Sequence, residues 1–398
     1  MIRRHLASKL RQAARKYPVV TLTGPRQSGK TTLVKAELKG YHYVSLELPD
    51  QRRHALEDPR GFLSAFDGPV ILDEAQRAPE LFSYIQVSAD EDDRPGRFIL
   101  TGSENFLLLQ SISQSLAGRC AILHLLPFSL HELAGRPALA PEVWGRELPR
   151  QGRKPRRGLM DTLFTGFYPR IHDKKLAPQE WLANYYQTYL ERDVRNVLKV
   201  GDLEAFGRFV RLCAGRNGQL LNLNGLASDC GISQPTAKSW LSVLEASFMV
   251  ALVRPHHRNF GKRLIKSPKL YFLDPGLLCY LSRVGSPKDL HQHGARGPVF
   301  ETFVLSELYK AFAHRGQRPE VYFWRDSAGH EVDFLLDFGT RLVPIEAKSA
   351  QTVAGDFFDA LRRRQELAGH EGGSAALVYG GDHAMRRRDV FVYPWSAV

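Results

Sequence analysis

Cysteine is scarce in this chain of 398 residues: Cys120, Cys213, Cys230 and Cys279 are the only four, and no two stand close together. Such spacing excludes zinc-finger ligand sets and a disulfide framework, and leaves reduced thiols as the expectation. Long apolar runs are missing too. Phe248–Val253 is among the longest, far short of the ~18–20 residues that cross a membrane. Acids are outnumbered, 42 Asp and Glu against 55 Lys and Arg, giving a formal net charge of +13. That excess favours a polyanionic partner, nucleic acid or an anionic membrane surface. With 43% hydrophobic residues the chain has material for packed cores, so disorder is excluded as its dominant state. At ~100–200 residues per domain the length corresponds to two to four domains, and the reading is of a cytoplasmic protein.

The stretch from Ile2 to Lys16 is Arg-rich and lacks acids, as transit peptides do, but it runs straight into a strand. It is read as a first helix of the fold. Val19–Thr23, Tyr41–Leu46, Val70–Leu72 and Arg97–Leu100 are short apolar strands separated by helical stretches, with Arg119–Leu126 strand-like after them. That alternation predicts an α/β fold, a parallel sheet covered by helices. Four prolines punctuate 134–158 and six basic residues crowd 146–157, which reads as a linker or basic loop. From Leu159 to Leu212 the pattern is helical, with Trp181, Tyr185, Tyr186 and Tyr189 spaced for a packed face.

The strongest signal is GPRQSGKT at 24–31, which follows a strand and opens a helix. It fits the G-x-x-x-x-G-K-[ST] phosphate loop without a mismatch. Gly24 and Gly29 let the backbone of Pro25, Arg26, Gln27 and Ser28 wrap phosphate oxygens, and Thr32 lies in the first helical turn. Lys30 would bridge the terminal phosphates of ATP, and Thr31 would ligate Mg²⁺. A second half is present in PVILDEAQ at 69–76, about 42 residues further on. Asp73 is the expected metal acid and Glu74 the base that activates water. At the tip of RFILTGSEN (97–105), Thr101 or Ser103 is placed to hold the water or sense the γ-phosphate; a helix-capping role is the rival. Arg119, in LAGRC, is read as an arginine finger reaching a neighbouring subunit, with a structural arginine as the alternative.

The GPRQSGKT loop, the ILDEA strand, the LTGS tip and LAGR before LPFSLHEL together resemble an AAA-type ATPase. YLERDVRNVLKVGD (189–202) and HRNFGKRLIKSPKLYFLDPGLL (257–278) narrow the likeness to a widespread bacterial and archaeal ATPase family with an ill-characterised C-terminal half. The resemblance spans nearly the whole chain. It implies an ATP-hydrolysing core and a homo-oligomer, commonly a hexameric ring, because the finger acts in trans.

Residues 220–253 have helix-turn-helix spacing, with Gly231 at the turn and Ser233 capping a second helix. Gln234, Thr236 and Lys238 would face a DNA groove, and Arg258, Lys262 and Arg263 fall where a basic wing would lie. The alternative is a winged helix that only links domains or contacts protein. Further on, Glu301 sits on a predicted helix, Asp333 on the strand HEVDFLL (330–336), and Glu346 and Lys348 on one face of VPIEAKSA (343–350). Asp333 and Glu346 on neighbouring strands would share a divalent metal, with Lys348 beside the scissile phosphate. The order helix Glu, strand Asp, Glu-x-Lys resembles a restriction-endonuclease-like fold.

The expected division is an AAA-type ATPase core over 1–135, a linker and helical connector over 136–215, a winged helix over 216–285, and a nuclease-like α/β domain over 286–398. The expected function is ATP hydrolysis coupled to action on DNA. The alternative is a nucleotide-switched DNA-binding regulator with an inert nuclease-like fold. A helicase, suggested by DEAQ, is disfavoured because its other strand motifs are not evident.

Overall fold

The computed structural model describes residues 2–102, 115–149, 156–189, 202–256, 267–326, 328–368 and 373–398. The chain forms two compact units. One comprises Met1–Phe128 with the short segments Ala246–Phe248 and Ala313–Gln317, the other Ser129–Glu245, Met249–Phe312 and Arg318–Val398.

The first unit is built on five parallel strands, β1 (Val19–Thr23), β2 (His42–Ser45), β3 (Val70–Asp73), β4 (Phe98–Thr101) and β5 (Cys120–His124), in the order β2-β3-β4-β1-β5. Helices α1 (Ala7–Ala14), α2 (Lys30–Glu37), α3 (Pro49–Glu57), α4 (Pro59–Ser64) and α5 (Leu81–Glu91) cover it. Every residue of β1, β3 and β4 is buried, as a sheet covered on both faces requires. Val20, Leu22, Ile71 and Ile99 pack on one side with Leu10 of α1 and Leu33 and Val34 of α2. Val19, Leu72 and Leu100 pack on the other with Phe62 of α4 and Phe82 and Ile85 of α5. The first helix is shorter than the sequence pattern suggests: α1 starts at Ala7, and Arg4 lies buried ahead of it.

The second unit holds a mixed sheet of eight strands: β6 (Val250–Pro255), β7 (Lys269–Phe272), β8 (Val321–Arg325), β9 (Glu331–Asp337), β10 (Leu342–Lys348), β11 (Ala375–Tyr379), β12 (Met385–Arg387) and β13 (Val390–Pro394). Their order is β12-β13-β11-β10-β9-β8-β6-β7. The hairpin β6–β7 follows the helix pair Leu223–Cys230 and Gln234–Ala246, and β6 also pairs parallel with β8, Arg254 opposite Tyr322. The larger of its two hydrophobic cores joins most of these elements. Phe206 and Phe209 from Leu203–Gly215, Trp240 from the helix pair, and Phe300 and Phe303 from Arg296–Ala313 belong to the same cluster. The sequence boundary at 285/286 therefore passes through a single sheet and through its larger core.

One further local reading changes. Part of the proline-rich stretch expected as a linker is fixed in place. Trp144 is buried 4.6 Å from the Tyr393 ring, and Arg341 donates to the carbonyls of Trp144 (2.7 Å) and Glu142 (2.8 Å). A single tryptophan outweighs the local polarity, since burying an indole is worth far more than a few solvated charges. After the helix Asp359–Ala368 come the three strands β11, β12 and β13. The basic run Arg386–Arg388 forms β12 and its turn at the edge of the sheet, where charge is tolerated.

Candidate functional site

The phosphate loop leaves the carboxyl end of β1. Gly24 has φ +146°, and a Cβ there would lie 2.1 Å from the Leu125 carbonyl oxygen, so no side chain fits beneath the exit of β5. Gly29, at φ +93°, turns the chain into α2. Between them Pro25, Arg26, Gln27 (φ 62°) and Ser28 close the loop, with the Ser28 N–H donating to the Pro25 carbonyl. Lys30 is buried, and its ammonium donates to the Gly24 and Pro25 carbonyls, both at 2.9 Å. Its charge is thus held inside the loop rather than in solvent. Thr32, one position past Thr31, is exposed.

Sheet register then assembles the acidic half. Asp73, last residue of β3, stands opposite Thr101 of β4 and Ser45 of β2. Three hydroxyls meet its carboxylate. Thr31 Oγ1 (2.9 Å) and the Tyr43 hydroxyl (2.7 Å) donate to Oδ2, and Thr101 Oγ1 donates to Oδ1. Glu74 follows with φ 57°, in the left-handed region that non-glycine residues seldom adopt, and accepts a hydrogen bond from Gln76 Nε2. Backbone N–H groups at a helix N-terminus, an ammonium, a hydroxyl and a carboxylate are the hard donor set that a magnesium-bound triphosphate needs. The residues present fit that ligand.

The structure separates the remaining residues expected here. Thr101 is in the site; Ser103 lies outside the described residues. Arg119 precedes β5 at the opposite end of the sheet, its carbonyl accepting from the Val19 N–H, and its side chain pairs with Asp90 of α5. That position excludes a role on its own nucleotide.

Two contributors escaped the sequence pattern. Arg4, 8% exposed, donates to Ser28 O (2.7 Å), Leu126 O (2.6 Å) and Pro127 O (3.4 Å), and stacks 4.8 Å over Phe128. It ties the phosphate loop to the chain leaving β5. Arg4 is one of several arginines in this Arg-rich stretch, which fits an amphipathic helix equally well. Tyr43 is the other, masked because β2 shows no polar motif.

A second polar centre lies in the other unit. Asp333 of β9 accepts the Ala347 N–H at 2.9 Å, and Glu346 of β10 accepts from Lys348 Nζ at 2.6 Å. Glu301 accepts from the Tyr271 hydroxyl at 2.9 Å. Burial, and then the charge on Asp333, raises the carboxyls of Glu301 and Glu346 to about 8. For Lys348, burial pulls the other way but loses to the charges of Asp333 and Glu346, and its pKa rises. Glu346 Oε2 is buried without a hydrogen-bond partner. The sequence-predicted quartet is therefore electrostatically one group. Lys269 and Tyr271 of β7 also enter it, Lys269 pairing with Glu331 and lying 3.5 Å from the Tyr271 hydroxyl. Both were hidden because β7 was assigned to a different segment.

In the helix pair, Ser233 caps the second helix through the Thr236 N–H (3.2 Å). Gln234 and Lys238 are exposed, whereas the Thr236 hydroxyl is engaged by Ser233 at 2.7 Å. Arg258, Lys262 and Arg263 lie outside the described residues. No helix among the described residues is long and apolar enough to cross a membrane.

Residues 16–134 match the AAA domain family. With the parallel sheet, the phosphate loop and the acidic strand, this makes the first unit an AAA-type P-loop ATPase fold, one built for nucleotide binding. Residues 156–288 and 296–398 match two domains of unknown function, DUF8612 and DUF4143. The chain is 30% identical to the uncharacterized protein Rv2008c of Mycobacterium tuberculosis over 98% of its own length and 82% of the relative's; Mb2031c of Mycobacterium bovis matches equally. It belongs to the family of these mycobacterial proteins. Among solved structures, the Walker-type ATPase of Pyrococcus abyssi aligns with 71% of this chain and 96% of its own, at 16% identity and a TM-score of 0.46.

Proposed function

We propose that this protein hydrolyses ATP and uses the cycle to control its action on DNA. The observation that carries the first part is the convergence of Thr31, Tyr43 and Thr101 on Asp73 beside the buried Lys30. The loop from Gly24 to Thr32 would bind the phosphates, with Lys30 between the terminal two. Thr31 and Asp73 would hold Mg²⁺, which when bound neutralises charge on the β- and γ-phosphates. Glu74 would take the proton from the attacking water, and Gln76 holds that carboxylate in place. Arg119 fits a finger offered to the next subunit of a homo-oligomeric ring, since it is remote from its own phosphate loop.

The second unit supplies the DNA-facing parts of this reading. The helix pair fits a winged helix with Gln234 and Lys238 outward and β6–β7 as its wing. Asp333, Glu346 and Lys348, with Glu301 behind them, fit a restriction-endonuclease-like centre. Asp333 and Glu346 would hold a divalent ion that activates water, and Lys348 would meet the scissile phosphate. One observation favours a second reading, binding without cleavage: the Lys348 ammonium is paired with the carboxylate that would serve the metal.

The test is cleavage of linear, single-stranded and branched DNA in Mg²⁺ or Mn²⁺, with and without ATP, beside Asp333→Ala. Cleavage that Asp333→Ala abolishes establishes the nuclease. Intact ATP hydrolysis without cleavage of any substrate sinks it in favour of the switched DNA-binding regulator.

A further inference from the structure

Tyr43 has no place in the phosphate-loop pattern, yet its hydroxyl shares Asp73 Oδ2 with Thr31, at 2.7 Å against 2.9 Å. It stands on β2, whose pairing with β3 sets Tyr43 opposite Ile71, two residues before Asp73. The ring is fixed on its other side: the Lys35 ammonium of α2 lies 3.4 Å from the ring centroid, close enough for a cation–π contact. Lys35 comes from the helix that Lys30 and Thr31 open. The phenol therefore spans from the phosphate-binding helix to the metal acid. Over a third of its surface is exposed, so core packing does not account for its orientation.

We infer that Tyr43 is a positioning residue for magnesium. Its hydroxyl fixes the rotamer of Asp73 and occupies one lone pair of Oδ2, leaving the remaining lone pairs directed at the ion's shell. The physical ground is general. A carboxylate serving a metal is oriented by its own hydrogen-bond donors, and removing such a donor typically costs ~10–100-fold in metal affinity or activity. Thr101 performs the corresponding task on Oδ1. Thr31 differs, because its hydroxyl would itself hold the ion when magnesium is bound. Tyr43 is thus the donor to Oδ2 that serves Asp73 alone. The inference rests on the ATPase reading of the first unit.

Tyr43→Phe tests it, since the ring under Lys35 is retained and only the hydroxyl is lost. Mg²⁺ is titrated on the full chain in two assays: ATP hydrolysis at saturating ATP, and binding of the fluorescent analogue N-methylanthraniloyl-ATP. The expected result is a ~10-fold rise in the Mg²⁺ concentration giving half-maximal effect in both assays. Affinity for the analogue without Mg²⁺ stays as in the unmodified chain. A tyrosine that served packing alone would shift the thermal midpoint and leave both Mg²⁺ curves in place; superimposed curves overturn the inference. If the unmodified chain binds the analogue but does not hydrolyse ATP, the ATPase reading falls and the binding curves alone decide on Tyr43. Analogue binding that ignores Mg²⁺ in the unmodified chain overturns the inference outright.

Discussion

The two polar centres of this protein handle negative charge in opposite ways. In the first unit Asp73 is met by three neutral hydroxyls from three elements, and the nearby cation, Lys30, is bonded to backbone carbonyls. The carboxylate there is solvated by protein dipoles before any ligand arrives. In the second unit Glu301, Asp333 and Glu346 lie in the interior, where burial and the charge on Asp333 raise the pKa of both glutamates and Lys348 is bonded to Glu346. The difference teaches how to distinguish a prebuilt site from a poised one. Dipoles around a carboxylate fix its geometry, whereas crowded carboxylates store a demand for a cation.

Attacking the prebuilt side should give the largest effect. Lys30→Ala and Glu74→Gln should each lower ATP hydrolysis at least ~100-fold, the usual size of losing a phosphate cation or a general base. Phosphate release reads this, and near-normal hydrolysis in either variant would remove that residue from the mechanism. Arg4→Met comes next. Three carbonyls lose a buried charged donor, so the first unit should be destabilised by ~2–4 kcal/mol, with weaker nucleotide binding. Denaturant unfolding would check it, and an unchanged midpoint would show that the loop needs no such tie.

The poised side should reveal itself through pH. Glu301 and Glu346 titrate near 8 when folded against about 4.5 otherwise, so the folded state binds more protons between those values. Their contribution to stability should therefore be complete below about pH 4.5, fall as pH rises toward 8, and be lost beyond. Glu346→Gln, which carries no charge to bury, should flatten that slope by on the order of a few kcal/mol across the window. Thermal unfolding from pH 5 to 8.5 measures it; parallel slopes for variant and parent would mean the crowding is relieved some other way. The smallest effect sharpens the contrast from outside both centres. Arg119 and Asp90 are partly exposed, so Arg119→Ala should change stability by no more than ~0.5–1 kcal/mol. If Arg119 acts in trans, hydrolysis falls all the same, and mixing with Lys30→Ala chains restores part of it. Failure of that rescue would leave Arg119 a surface ion pair.

What the sequence made legible follows from how local each signal is. The phosphate loop and the acidic strand are written in consecutive residues, because a single turn and a single strand end build them. The quartet Glu301, Asp333, Glu346 and Lys348 was legible as an ordered set, and one shared electrostatic environment joins it. Tyr43, Arg4, Lys269 and Tyr271 were not, since each acts through a partner at least 24 residues away that only strand register or a buried turn supplies. The segment before Leu159 misled for a similar reason. Prolines and arginines look solvated until one recognises that Trp144 needs a pocket, and that pocket is built by Tyr393.

The parallel pairing of β6 with β8 carries a practical lesson for anyone dividing this polypeptide. A fragment starting after residue 285 would lack β6 and β7, so β8 would present a bare row of amide and carbonyl groups. Exposed rows of that kind recruit strands from other molecules, and a preparation of the fragment should clump where the whole chain does not. The segment that carries the helix pair and the segment that carries the carboxylates are thus joint tenants of one sheet, to be inherited, expressed or engineered together.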